Sequence, residues 1–117
     1  MNPDFADLLL AFNAHEVRHL VVGAYALAAH GRPRATGALD VWVEPTHANA
    51  ARVMRALAAF GAPLDQLEEV EFARPGIVFQ MGLPPGRIDV LTGLTALTFE
   101  EAWVSRLDGS LVESLLD

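Results

Sequence analysis

HLVVGAYALAAHGRPRATGALDVWV (residues 19–43) decides the fold, because it holds two short apolar strands separated by a glycine turn and an Ala-rich segment. His19-Leu20-Val21-Val22 is a β-branched run that ends at Gly23. Ala24 to His30 is rich in the best helix former and stops at Gly31, so it is expected to be a short helix. Pro33 ends any helix, and Leu39-Asp40-Val41-Trp42-Val43 then reads as a second strand before Glu44-Pro45.

Working outward, Pro3 with Asp4 and Asp7 opens a helix whose apolar residues Phe5, Leu8, Leu9 and Phe12 recur at three- and four-residue spacing. Downstream, Thr46 is placed to cap a helix running through Ala59, with Gly61 as its stop. A further short helix is expected over Leu64 to Val70, and a loop at Ala73-Arg74-Pro75-Gly76. Ile77 to Met81 and Arg87 to Leu91 read as strands joined by the turn Gly82-Leu83-Pro84-Pro85-Gly86, and they are expected to form an antiparallel hairpin. Thr98-Phe99-Glu100-Glu101 is a capping box that opens a helix to about Arg106. Asp108-Gly109 signals a turn, and Leu111 to Asp117 starts a strand or a last helical turn. The layout is α+β, a small mixed β-sheet with helices packed against it, and it fits one domain over residues 1–117.

Composition narrows the function. With 117 residues, 52% hydrophobic and 20% charged, the chain can bury one core and is expected to fold. A formal net charge of -7 argues against a general DNA binder or an anionic-membrane binder, since both rely on many basic contacts. All eight basic residues are Arg, whose planar fork suits phosphate wherever two or three cluster. Absence of Cys removes disulfides and thiolate metal sites. No basic, apolar leader opens the chain, and the uncharged run Leu20 to Ala29 is shorter than the roughly 20 residues of a membrane span, so a cytoplasmic location is expected.

Two aspartates stand inside apolar strands. Asp40 lies between Leu39 and Val41, where a carboxylate is costly unless it meets water, an Arg or a metal. Strand alternation puts Ala38, Asp40 and Trp42 on one face, successive members about 6.5–7 Å apart. Asp89, between Ile88 and Val90, repeats the pattern. Brought onto neighbouring strands, the two could ligate oxygen-seeking cations such as Mg²⁺, and cations about 3.5–4 Å apart can serve an attacking and a leaving oxygen together. Gly23, after a strand and before a helix, lets backbone N–H groups approach a phosphate. A structural reading stands beside this one: Asp89 can pair with Arg87 and Asp40 with Arg34.

In this order, Val22-Gly23-Ala24-Tyr25-Ala26-Leu27, then Arg34-Ala35-Thr36-Gly37-Ala38-Leu39-Asp40-Val41-Trp42-Val43, then Arg87-Ile88-Asp89-Val90-Leu91 with Phe99-Glu100-Glu101-Ala102-Trp103 downstream, the chain resembles the minimal nucleotidyltransferases of the polymerase-β superfamily. It is most similar to the AbiEii-like group associated with toxin–antitoxin and phage-defence loci. The resemblance covers roughly residues 5 to 106 by motif order. It implies a polymerase-β palm-like fold, an NTP substrate with Mg²⁺ or Mn²⁺, and transfer of a nucleoside monophosphate to tRNA or to a partner protein. It places Gly23 and Ala24 in the phosphate-binding turn, and Arg34 and Thr36 on the segment leading into the metal strand. Asp40 becomes the second metal aspartate and Asp89 the third, the one that takes a proton from the acceptor.

Two departures qualify that resemblance. The family pattern is Thr-x-Asp-(Ile/Leu)-Asp, and Ala38 stands where the first aspartate belongs. The family's Lys- and Arg-bearing C-terminal segment has no counterpart before Asp117. Losing one shared carboxylate implies weak cation binding and little turnover. Either an inactivating substitution or a lineage kept for binding accounts for Ala38. The alternative function is therefore a non-catalytic, antitoxin-like interaction module that docks a cognate toxin or other basic partner.

Other motifs have plainer readings. His15-Glu16-Val17-Arg18-His19 matches His-Glu-x-x-His, but it straddles a helix end and a strand start, so both His cannot face one zinc ion. Trp42, Phe79 and Trp103 read as core or nucleobase-adjacent packing. Glu68, Glu69 and Glu71 read as a solvated face. His30 and Arg32, in the loop before the metal strand, are candidates for phosphate or acceptor contact.

Overall fold

The computed structural model describes residues 3–22, 38–83, 86–94 and 97–104. Over these it is a compact α+β domain with three helices and a four-stranded mixed sheet. Along the chain come α1 (Pro3–Ala14), β1 (His19–Val21), β2 (Ala38–Val43), α2 (His47–Phe60), a 3₁₀ helix (Glu69–Ala73), β3 (Val78–Met81), β4 (Arg87–Leu91) and α3 (Phe99–Val104). The sheet order is β1-β2-β4-β3. The two central strands, β2 and β4, run parallel, and each edge strand is antiparallel to its neighbour.

Alternation along β2 and β4 sorts their side chains onto two faces. Leu39, Val41, Val43, Ile88 and Val90 form one core with Leu8 and Phe12 of α1 and with Val53 and Leu57 of α2. Burying a side chain of this size contributes about 1.5–3 kcal/mol, so this face carries most of the packing energy. The other face has a smaller cluster, in which Leu20, Trp42 and Leu91 meet Phe99 and Ala102 of α3. Trp42 and Phe99 touch edge to face, with centroids 5.5 Å apart. No helix among the described residues is long and apolar enough to cross a membrane.

Local signals explain the element ends. The Thr46 hydroxyl accepts from Asn49 N–H at the start of α2, the cap that a Thr in extended backbone provides. Gly61 closes α2 in the left-handed region (φ 95°), and its N–H reaches the Leu57 and Ala58 carbonyls. A Cβ at Gly61 would meet nothing within 4 Å, so the cost of Gly61→Ala is backbone strain alone. Urea denaturation of that variant is expected to show a loss of about 1 kcal/mol. At α3 the capping box forms, the Glu101 carboxylate accepting from the Thr98 N–H and hydroxyl at 2.9 Å each. These two donors hold the Glu101 carboxyl below its ordinary range.

One expected helix is corrected. Leu64 to Val70 makes a single turn, with Leu67 N–H donating to Leu64 O at 3.1 Å, and the helical segment begins later, as the 3₁₀ helix from Glu69. Leu64 and Leu67 both reach the core from that one turn, after which Glu68 is extended and Phe72 is driven into the core. Ala73, expected in the following loop, is the last residue of the 3₁₀ helix. The expected helix over Ala24 to His30, Pro84-Pro85 of the hairpin turn, Arg106 and the segment from Asp108 to Asp117 lie outside the described residues.

Candidate functional site

Parallel pairing of β2 and β4 sets Ala38 opposite Arg87, Asp40 opposite Asp89 and Trp42 opposite Leu91. In-register residues on adjacent strands share a face, and the strands lie about 4.8 Å apart. Asp40 and Asp89 are therefore side by side on the α3 face of the sheet, one step along their strands from the Trp42–Leu91 pair. Both are buried, at 1% and 0% exposure. On the far side of Asp89, antiparallel β3 places Gln80 in the same row, exposed to solvent. Reading across the sheet, the row runs Asp40, Asp89, Gln80, from buried to open.

Arg87 completes the group. Its Nη2 lies 3.0 Å from Asp89 Oδ2, within both hydrogen-bond and ion-pair distance. The two residues sit two apart on one strand, which is how alternation brings them to the same face. The structural reading of Asp89 is thus present alongside the functional one. Arg34, the partner considered for Asp40, lies outside the described residues, as do Gly23, Ala24, His30, Arg32 and Thr36.

The chemistry of the donor set tests the expected cation centre. Asp40 and Asp89 are two hard oxygen donors on neighbouring strands, but position 38 supplies no carboxylate. Among the described residues no group of three or more His, Asp or Glu could hold a metal ion. Asp89 already shares an oxygen with a guanidinium. The residues present do not fit a two-cation centre.

A second polar group was not read from the sequence. The Arg18 guanidinium spans Glu44 of the loop after β2 (3.2 Å) and Glu100 of α3 (3.1 Å), and it lies 4.5 Å from the centre of the Trp103 ring. Phe99 and Trp103 stack behind it. Burial and the neighbouring Glu100 carboxyl push the Glu44 carboxyl above its ordinary value, with Arg18 pulling the other way. His19 pairs with Val43 in β1 and β2, so the antiparallel register sets residues 18 and 44, of opposite charge, across from one another.

The His19 Nδ1–H donates to the Val17 carbonyl oxygen at 2.8 Å, and the ring packs edge-on against Phe12. Burial lowers its pKa, partly offset by that carbonyl. Helix α1 ends at Ala14 and Glu16 has a left-handed φ of 56°, so His15 and His19 share no helix face. Past Trp42 and Phe99, at the carboxyl ends of β2 and β4, an open groove of about 430 Å³ runs between Pro75, Leu94 and Leu97. Neither aspartate lines it. Trp42 and Phe79 are packing residues, Phe79 meeting Phe72 edge to face.

Comparison of this chain with protein-family models, with curated proteins and with solved structures returned no match. The class that fold and site define is accordingly the compact α+β domain with a buried aspartate pair on its central parallel strands.

Proposed function

We propose that this chain is a nucleotidyltransferase-fold protein of the AbiEii-like kind, whose native chemistry is metal-dependent transfer of a nucleoside monophosphate from an NTP to tRNA or to a partner protein. The observation that carries the reading is the in-register placement of Asp40 beside Asp89 on parallel strands, two carboxylates that the sequence alone could not bring together. In the reaction an acceptor hydroxyl oxygen attacks the α-phosphorus, the bond to pyrophosphate breaks, and the hydroxyl proton passes to the Asp89 carboxylate. Gly23, Ala24, Arg34 and Thr36 would hold the nucleotide. Mg²⁺ or Mn²⁺ would supply charge neutralisation at the phosphates; of the acids such a centre calls for only Asp40 and Asp89 are present, and Ala38 leaves it one short. The chain as it stands therefore turns over little.

One observation favours a second reading. The Arg87–Asp89 ion pair lets the aspartates persist without catalysis, as expected of an antitoxin-like module that docks a toxin or another basic partner.

The test is transfer of label from α-labelled NTPs, with Mg²⁺ or Mn²⁺, to total tRNA and to candidate partner proteins, by this chain and by Ala38→Asp. Labelling by Ala38→Asp supports the enzyme reading and identifies the acceptor. No labelling by either rejects it in favour of the interaction module.

A further inference from the structure

We infer that Arg87 is the resident counter-cation of the aspartate pair, carrying at Asp89 the positive charge that a divalent ion would otherwise bring, so that this site is held together without metal. The inference rests on the proposed reading only for its premise that a divalent ion belongs at such a pair; the Arg87 role itself stands on geometry.

Three observations carry it. First, the Arg87 guanidinium is 3.0 Å from an Asp89 carboxylate whose side chain is 1% exposed. A carboxylate taken that far out of water needs a compensating positive charge, and removing the partner of a buried pair leaves an uncompensated ion. Second, the charge beside Asp89 includes a second acid, because Asp40 is its register neighbour on β2. Two neighbouring buried negative charges repel each other, and Arg87 offsets one of the two. Third, the residue opposite Arg87 on β2 is Ala38. An acid at that position would stand across the strand gap from the guanidinium and compete with Asp89 for it. With alanine there, no carboxylate at position 38 draws Arg87 away from Asp89.

These facts join two features that otherwise look unrelated, the missing acid at position 38 and the ion pair at 87 and 89. Removing the first metal aspartate lowers the negative charge of the site and frees the cross-strand neighbour of Arg87. The fixed guanidinium then holds Asp89, and it also repels a divalent ion approaching that carboxylate, two positive charges about 3–4 Å apart being strongly unfavourable in a buried place.

Thermal melting and Mn²⁺ binding followed by electron paramagnetic resonance test this directly, with the full chain in EDTA and in Mn²⁺. The unmodified chain is expected to melt at the same temperature in both buffers and to bind Mn²⁺ weakly. Arg87→Met keeps the apolar stem but loses the charge. It is expected to melt well below the parent in EDTA, to regain stability in Mn²⁺, and to bind Mn²⁺ at least about tenfold more tightly, the repelling charge being gone. Arg87→Lys, which keeps the charge, is expected to show no Mn²⁺ rescue. If Arg87→Met is recovered only as aggregate, refolding from denaturant decides: recovery only with Mn²⁺ supports the inference, and recovery in neither buffer overturns it. It is equally overturned if Arg87→Met melts like the parent in EDTA, or if the parent binds Mn²⁺ as tightly as the variant. Label transfer plays no part in these measurements, so their failure leaves the proposed function standing, and the failure of that function is seen in the transfer assay alone.

Discussion

Ala38→Asp is expected to raise nucleotidyl transfer by about a thousandfold over the parent chain. A cation clamp on the phosphates is worth several kcal/mol of transition-state stabilisation, and every 1.36 kcal/mol is about tenfold in rate. Position 38 is where the proposed reading puts the missing acid. It lies on β2, two residues before Asp40, and its register partner on β4 is Arg87, two residues before Asp89. The substitution adds a third carboxylate beside a pair already set by the register of the two central strands. Adding Asp89→Asn to Ala38→Asp is expected to return transfer to the parent level, because the group that takes the hydroxyl proton in the proposed reaction is then gone. Transfer that survives Asp89→Asn would mean that the activity belongs to a contaminant or to another site. A gain below about tenfold, 1.36 kcal/mol, would mean that a single acid is not what the chain lacks.

How much of this could be read in advance depends on whether the determinant is local. The strands β2 and β4 were legible because each is a short β-branched run with one acid in it, and the caps at Thr46, Gly61 and Thr98 were legible because each depends on residues within four positions. Register is different. Nothing near Asp40 says that Asp89 will be its neighbour, since that pairing is set by how α2, the 3₁₀ helix and β3 return the chain to the far side of β2. The shift of the expected helix from Leu64 to Glu69 has the same origin, because burial of Phe72 outweighs local helix propensity. The Arg18, Glu44 and Glu100 group was missed for a related reason: its members come from three separate segments, and only the β1–β2 register brings the first two together.

Asn49→Ala is expected to cost about 3 kcal/mol in urea denaturation, more than an ordinary surface substitution by a wide margin. Asn49 is 1% exposed in the first turn of α2, where a polar side chain persists only if its groups are satisfied. They are. Its Oδ1 accepts from the Arg18 N–H at 2.7 Å, and its Nδ2 donates to the Arg18 and Glu44 carbonyls at 3.0 Å each. One amide therefore ties the entry to β1, the exit from β2 and the start of α2. After truncation the two carbonyls keep other donors, Glu44 N–H at 3.1 Å for Arg18 and Thr46 N–H at 3.0 Å for Glu44. The Arg18 N–H loses its acceptor, and a buried donor left so costs about 1–3 kcal/mol before the lost hydrogen bonds and the small cavity are added. Asn49→Asp separates this account from simple loss of packing. It keeps the volume and the acceptor for Arg18 N–H, but it points a carboxylate oxygen at two carbonyls in place of a donor. At neutral pH it is expected to be at least as destabilising as alanine, and to recover in acid, where a protonated carboxyl can donate again. An Asn49→Asp chain as stable as the parent at neutral pH, or an alanine variant that loses less than about 1 kcal/mol, would show that the amide is not the clamp between these three segments.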